Sequence, residues 1–118
     1  MAVALFAVAS PATSAGAAGA RFSGEVTDAL RAPAHRLAAG PDGRAAGDLV
    51  FVDAQQARTR VRACVRRRDV AGVHSCFSFT TGTAGVATVT PLRFARGRYL
   101  VRWSVRGAVV ARWRFSVA

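Results

Sequence analysis

At 118 residues the chain suffices for one domain with a single core and is too short for two. Its 17 basic residues outnumber 6 acidic ones, giving a formal net charge of +11, and its two cysteines exclude an all-cysteine zinc site. All the basic residues are Arg, while Lys, Asn and Ile, whose codons are AT-rich, are absent, so the composition points to a GC-rich genome in which Arg is the default polar residue.

Residues 1–20 (MAVALFAVASPATSAGAAGA) join a short apolar run to small residues with A-x-A sites at Ala15-Gly16-Ala17 and Ala18-Gly19-Ala20. This pattern predicts a secretory signal peptide, although no basic residue precedes Arg21. The alternative is a flexible Ala-rich leader. The run is too short to span a bilayer, and no later segment is long and apolar enough. Residues 21–118 are then the folded domain, and the expected location is secreted or cell-envelope associated.

Phe22 to Thr27 predicts a short first strand. Pro33, Pro41-Asp42-Gly43 and Gly47 supply turn chemistry, with a brief edge strand over His35 to Leu37. Asp48 to Asp53 (DLVFVD) is a continuous apolar run bounded by acids, which predicts a strand buried on both faces. Asp53 is placed to cap one helical turn over residues 53–57. Residues 58–80 predict a hairpin whose register follows from its cysteines. Pairing Cys64 with Cys76 sets Ala63 against Phe77 and Val61 against Phe79, and both sulfurs fall on the polar face with Arg60, Arg62, Arg66, His74 and Ser78. In a short exported chain an even pair of cysteines is expected to be oxidised.

Thr81 to Gly85 is a loop, and Val86 to Phe94 a strand in which Pro91 marks an end or a sheet edge. The strongest periodicity lies in residues 99–117 (YLVRWSVRGAVVARWRFSV). Tyr99, Val101, Trp103 and Val105 alternate with Leu100, Arg102, Ser104 and Arg106; Ala111, Trp113, Phe115 and Val117 alternate with Val110, Arg112, Arg114 and Ser116. That period of two predicts a half-buried hairpin. A plain two-residue Gly107-Ala108 loop would set Trp103 against Arg112, so the pattern requires an odd loop or a bulge at Gly107, with Arg102 opposite Arg112 or Arg114. The segments amount to about seven strands and no amphipathic helix.

The F-x-x-G-x-Y corner of Phe94, Gly97 and Tyr99, followed by an alternating strand, a Gly turn and a last strand, resembles the E–F corner and F–G hairpin of immunoglobulin-like and fibronectin type III-like β-sandwiches. The likeness covers roughly residues 47–117 and looks most like the small exported Ig-like domains of GC-rich bacteria. It implies an all-β, two-sheet antiparallel sandwich with Tyr99 as the corner tyrosine. The chain departs from the antibody pattern: the 58–67 strand has no Trp, and the cysteines sit within one hairpin. The looser fibronectin-like arrangement is therefore preferred, in which the strands at 58–67, 73–80, 99–106 and 109–117 share one sheet.

In that sheet Arg60, Arg62, Arg66, Arg102, Arg106, Arg112 and Arg114 would form one outward basic face suited to anionic cell-wall polymer, extracellular nucleic acid or anionic lipid. The competing account is a solvated face filled with the genome's default polar residue. No aromatic is clearly interleaved there, which disfavours base stacking, and Trp103 and Trp113 share the apolar parity. Arg66-Arg67-Arg68 is assigned to a solvated turn and Gly82 to Gly85 to a strand connection. No catalytic, cofactor or metal residues are predicted. A Cys–His dyad with His74 requires a free thiol, and Asp48 and Asp53 at the two ends of one strand stand roughly 16 Å apart, too far for a carboxylate pair. The expected function is a secreted, non-catalytic binding or structural module. The alternative is a protein-interaction module, engaging another envelope protein through a sheet edge or loops.

Overall fold

The computed structural model describes residues 20–118, and the leader expected over residues 1–20 lies outside them except for its last residue. Eight strands occur among the described residues: β1 (Phe22–Thr27), β2 (Arg36–Leu37), β3 (Arg44–Asp53), β4 (Arg60–Arg67), β5 (His74–Thr80), β6 (Val86–Ala95), β7 (Gly97–Val105) and β8 (Ala108–Val117). They form two sheets, of three strands in the order β1-β3-β6 and of five in the order β2-β8-β7-β4-β5. Each sheet has one apolar face, and the two bury these against each other as a sandwich. The described residues are all-β, and β4, β5, β7 and β8 share one sheet, as the fibronectin-like resemblance implies. One pairing departs from the antiparallel expectation: β2 runs parallel to β8, with Arg36 beside Ser116 and Leu37 beside Val117.

The cysteine hairpin takes the predicted register. Cys64 lies opposite Cys76, Ala63 opposite Phe77 and Val61 opposite Phe79, and the two sulfurs are bonded. β3 differs from its expectation. It starts at Arg44, four residues before Asp48, and alternates buried with exposed or half-buried positions, so it is not buried on both faces. Its outer face lies open because this sheet is backed by protein on one side only. The apolar run over 49–52 reflects β-branched residues at half-buried positions. Residues 54–58 form bends and no helical turn. Asp53 still accepts backbone N–H bonds from Gln55 (3.0 Å) and Gln56 (3.2 Å).

Two bulges set the remaining registers. Between β3 and β6, Gly47 faces Leu92 while Leu49 faces Val89, so β6 carries an extra residue at Thr90-Pro91. β6 is also a sheet edge, and both conditions suit a residue without an N–H. In the last hairpin, Trp103 faces Ala111 while Ser104 faces Val109, which places the bulge at Val110 and corrects the expected position at Gly107. Gly107 is instead in the turn. Arg106 (φ 53°) and Gly107 (φ 80°) are both left-handed, the arrangement of a two-residue type I′ turn, whose twist matches that of the strands it joins. Arg102 lies opposite Arg112.

Trp103 is the centre of the core. It is completely buried, and across the sandwich Gly24 makes room for it: a Cβ there would stand 2.4 Å from the indole ring. Phe94, Tyr99 and Phe115 pack as a second cluster with centroids 4.9–5.4 Å apart. The Tyr99 hydroxyl donates to the Ala95 carbonyl at 2.6 Å, which pins the β6–β7 corner. Trp113 shares the apolar parity but is only half-buried. It stacks on His35 at 4.0 Å, and its indole N–H donates to the Ala34 carbonyl at 2.8 Å.

Candidate anion-binding face

The outer face of the five-stranded sheet is built from alternate residues of β4, β5, β7 and β8 together with Arg36 of β2. Their registers arrange it in rows. Arg114, Leu100, Arg66 and His74 form one, and Arg112, Arg102, Cys64 and Cys76 the next. Arg62 lies between Ser78 and Ser104, and Arg60 opposite Thr80. Six of the seven predicted arginines, Arg60, Arg62, Arg66, Arg102, Arg112 and Arg114, are thus strand residues of this face, all exposed. The seventh, Arg106, is not: it occupies the β7–β8 turn at the rim, because the hairpin tip falls one residue earlier than its alternation suggests.

Sequence reasoning missed two members. Arg98 shares the parity of Leu100 and Arg102, so the period of two extended by one residue past Tyr99 would have found it. Arg36 was beyond reach, since a two-residue strand has no readable periodicity. Its outward position follows from pairing with Ser116.

Leu100 points outward yet is only 8% exposed. It is flanked across the strands by Arg114 and Arg66, and along β7 by Arg98 and Arg102, arginines whose long aliphatic stems can lie over an apolar neighbour while the guanidiniums stay in water. Close spacing of like charges is unfavourable, most directly for Arg102 opposite Arg112.

Acidic residues do not relieve this charge. Among the described residues the ion pairs are Arg21 with Asp53, Arg67 with Asp69 and Arg93 with Asp42, and no arginine of the outer face takes part. The acids serve locally, as expected for turns and strand ends. Asp28 accepts from the Leu30 and Ala32 amides, Asp42 from the Arg44 amide, and Asp48 from the Thr90 hydroxyl. Asp69 and Arg67 hold the tip of the cysteine hairpin, and the Arg67 guanidinium keeps the Asp69 carboxyl down at about 2. Arg67 itself faces inward over the Tyr99 ring, so the Arg66-Arg67-Arg68 run is divided between two faces.

The face is concave at one end. A groove of about 290 Å³ is lined there by Arg60, Arg62 and Arg106 and by the hydroxyl-bearing Ser78, Thr80 and Ser104. Guanidiniums beside hydroxyl donors suit oxyanions, which accept several charge-assisted hydrogen bonds at once.

A second polar centre lies at the same end, in the interior. Asp53 closes β3 with its side chain fully buried and takes both nitrogens of a forked Arg21 contact, Nε at 2.9 Å and a terminal nitrogen at 3.0 Å. The Thr59 hydroxyl donates at 2.5 Å to Oδ2, which also accepts from the Arg21 terminal nitrogen. Arg21, then Thr59 and the Gln55 amide, hold the carboxyl well below the usual carboxylate range against the opposing effect of burial. Every lone-pair direction is used inside the protein, so this centre is structural.

Among the described residues no group of three or more His, Cys, Asp or Glu is placed to hold a metal, and no helix is long and apolar enough to cross a membrane. No protein-family model matches the chain, and no curated protein matches it.

Proposed function

We propose that the chain is an exported, non-catalytic, immunoglobulin-like or fibronectin type III-like domain that binds anionic polymers through the arginine face of its five-stranded sheet. The fold reading is supported by the order β2-β8-β7-β4-β5 against β1-β3-β6, by the parallel β2–β8 pair and by the Tyr99-to-Ala95 corner bond. Export is supported by the leader pattern and by the Cys64–Cys76 bond, which suits an oxidising compartment.

The binding reading rests on one observation. Arg36, Arg60, Arg62, Arg66, Arg98, Arg102, Arg112 and Arg114 project from one sheet face with no carboxylate among them. A genome that defaults to Arg explains why polar positions are Arg, but not why all six acids lie off this face. A repeating polyanion laid across the rows would neutralise that charge and release its own counterions.

The test must separate this face from net charge. Arg102→Glu with Arg112→Glu should lower the salt concentration needed to elute the protein from an immobilised anionic polymer. It should also flatten the dependence of log K on log salt by about two or more. Arg31→Glu with Arg44→Glu, the same charge change away from the face, should do much less. Equal effects of the two pairs would reduce the binding to net charge and overturn the proposal.

A further inference from the structure

The basic groove is continuous, through Arg60 and Arg106, with a larger cleft of about 620 Å³ that rounds the rim of the sheet and enters between the two layers of the sandwich. Its floor is apolar, made by Phe22 of β1, Val105 of β7 and the bulged Val110 of β8, all partly buried against the core. Its mouth carries Arg58, Arg60 and Arg106, all exposed, and no acid is among its lining residues. Arg21 reaches the cleft from the Asp53 centre, where it is already neutralised.

Two features set this cleft apart from a chance surface dent. The bulge at Val110 and the shortness of β2, which covers only the far end of β8, leave the two layers unsealed here. Arg58 (φ 58°) and Arg106 (φ 53°) also hold left-handed backbones at the mouth, a conformation that costs an L-residue about 1–2 kcal/mol and that Gly, used at other turns of this chain, adopts freely. Arg31 holds the same conformation away from the cleft, and the type I′ turn requires it of Arg106, so Arg58 is the outlier at the mouth that points to a ligand.

The geometry points to a binding site for a single-chain amphiphilic anion, taken as a monomer with its phosphate or carboxylate among Arg58, Arg60 and Arg106 and its hydrocarbon on Phe22, Val105 and Val110. Apolar walls with a few converging polar groups, in a volume of this order, characterise small-molecule sites. This site shares Arg60 with the polymer-binding face, but its apolar floor and Arg58 lie off that face, and it does not rest on the polymer-binding reading.

Dodecyl phosphate below its micellar concentration is the probe, with the full domain followed by calorimetry and by NMR of the Val methyl and Arg Nε–H signals. Saturable binding should shift Val105, Val110, Arg58 and Arg106. Val110→Asp should weaken it at least about tenfold, and so should Arg58→Glu, a loop variant that leaves the core untouched, since loss of one charge-assisted contact is of that size. Arg102→Glu with Arg112→Glu should retain it. Inorganic phosphate binding as tightly would remove the apolar part of the proposal, and dodecyltrimethylammonium binding as tightly would remove the cationic part. Adsorption to phosphatidylglycerol vesicles without binding of the monomer would make the site a membrane contact. Any of these three results, or unchanged affinity in both cleft variants, overturns the inference.

Discussion

Asp53 shows how much one residue can carry in a small domain. Its carboxylate joins the start of β1, the end of β3 and the approach to β4 by accepting from Arg21, Thr59 and the amides of Gln55 and Gln56. Because its folded pKa is depressed, the contribution is complete above the unfolded value near pH 4 and fades as pH falls from there toward the folded value. Asp53→Asn should therefore cost about 2–4 kcal/mol at neutral pH, and the gap between variant and wild type should close as urea unfolding is repeated below pH 4. A gap independent of pH would mean that packing, not charge, is what the variant loses. The sequence made Asp53 legible as a residue that binds backbone amides, but not as the partner of Arg21. That contact spans 32 positions, and nothing local marks which of 17 arginines will meet it.

At the scale of elements, what could be read was whatever repeats. Alternation over β4, β5, β7 and β8 predicted both hairpins, and the cysteines fixed one register outright because covalent geometry admits no slip. The mismatch in parity announced a bulge in the last hairpin but not its position, which falls at Val110 and not at Gly107 because it is set by how the turn twists, and the extra residue in β6 left no such mark. The β7–β8 tip makes the point. Its type I′ turn favours Asn-Gly, yet Arg106 stands in the first position. Arg106→Asn should raise the unfolding midpoint in urea by an amount worth about 1 kcal/mol while weakening dodecyl phosphate binding. A variant that is no more stable would show that the left-handed Arg is not strained. β3 failed as a both-faces-buried strand for another reason: a run of apolar letters reports β propensity as readily as burial.

At the scale of the molecule, the sandwich is asymmetric in strand number and in charge. Five strands facing three leave Phe77 and Phe79 of the overhanging edge strand β5 only half-covered. Segregation of acids away from the arginine face could not be seen in composition, where they are scattered along the chain. It emerges only when the pairing of strands sorts residues between faces. The cleft was similarly invisible, because Phe22, Arg58, Val105 and Val110 belong to four separate segments.

The parallel β2–β8 pair has a mechanical consequence. Beyond the ladder itself, Ser116 donates to the His35 carbonyl, Ala118 to that of Leu37, and Ala39 to that of Ala118, at 2.9–3.1 Å. Arg21 lies beside the β7–β8 turn, whereas Ala118 lies at the opposite end of β8. Tension applied between Arg21 and Ala118 first loads the six-residue β1–β3 ladder, which lies between Arg21 and β2; once that ladder yields, it pulls β2 and β8 along their lengths in opposing directions and loads their bonds in shear together, instead of peeling them one by one. Single-molecule stretching between these two points should record detachment of β1 and then an abrupt rupture of the β2–β8 pair, at a force that falls markedly when Ser116→Pro deletes the bond to His35, whereas gradual low-force lengthening would contradict this load path.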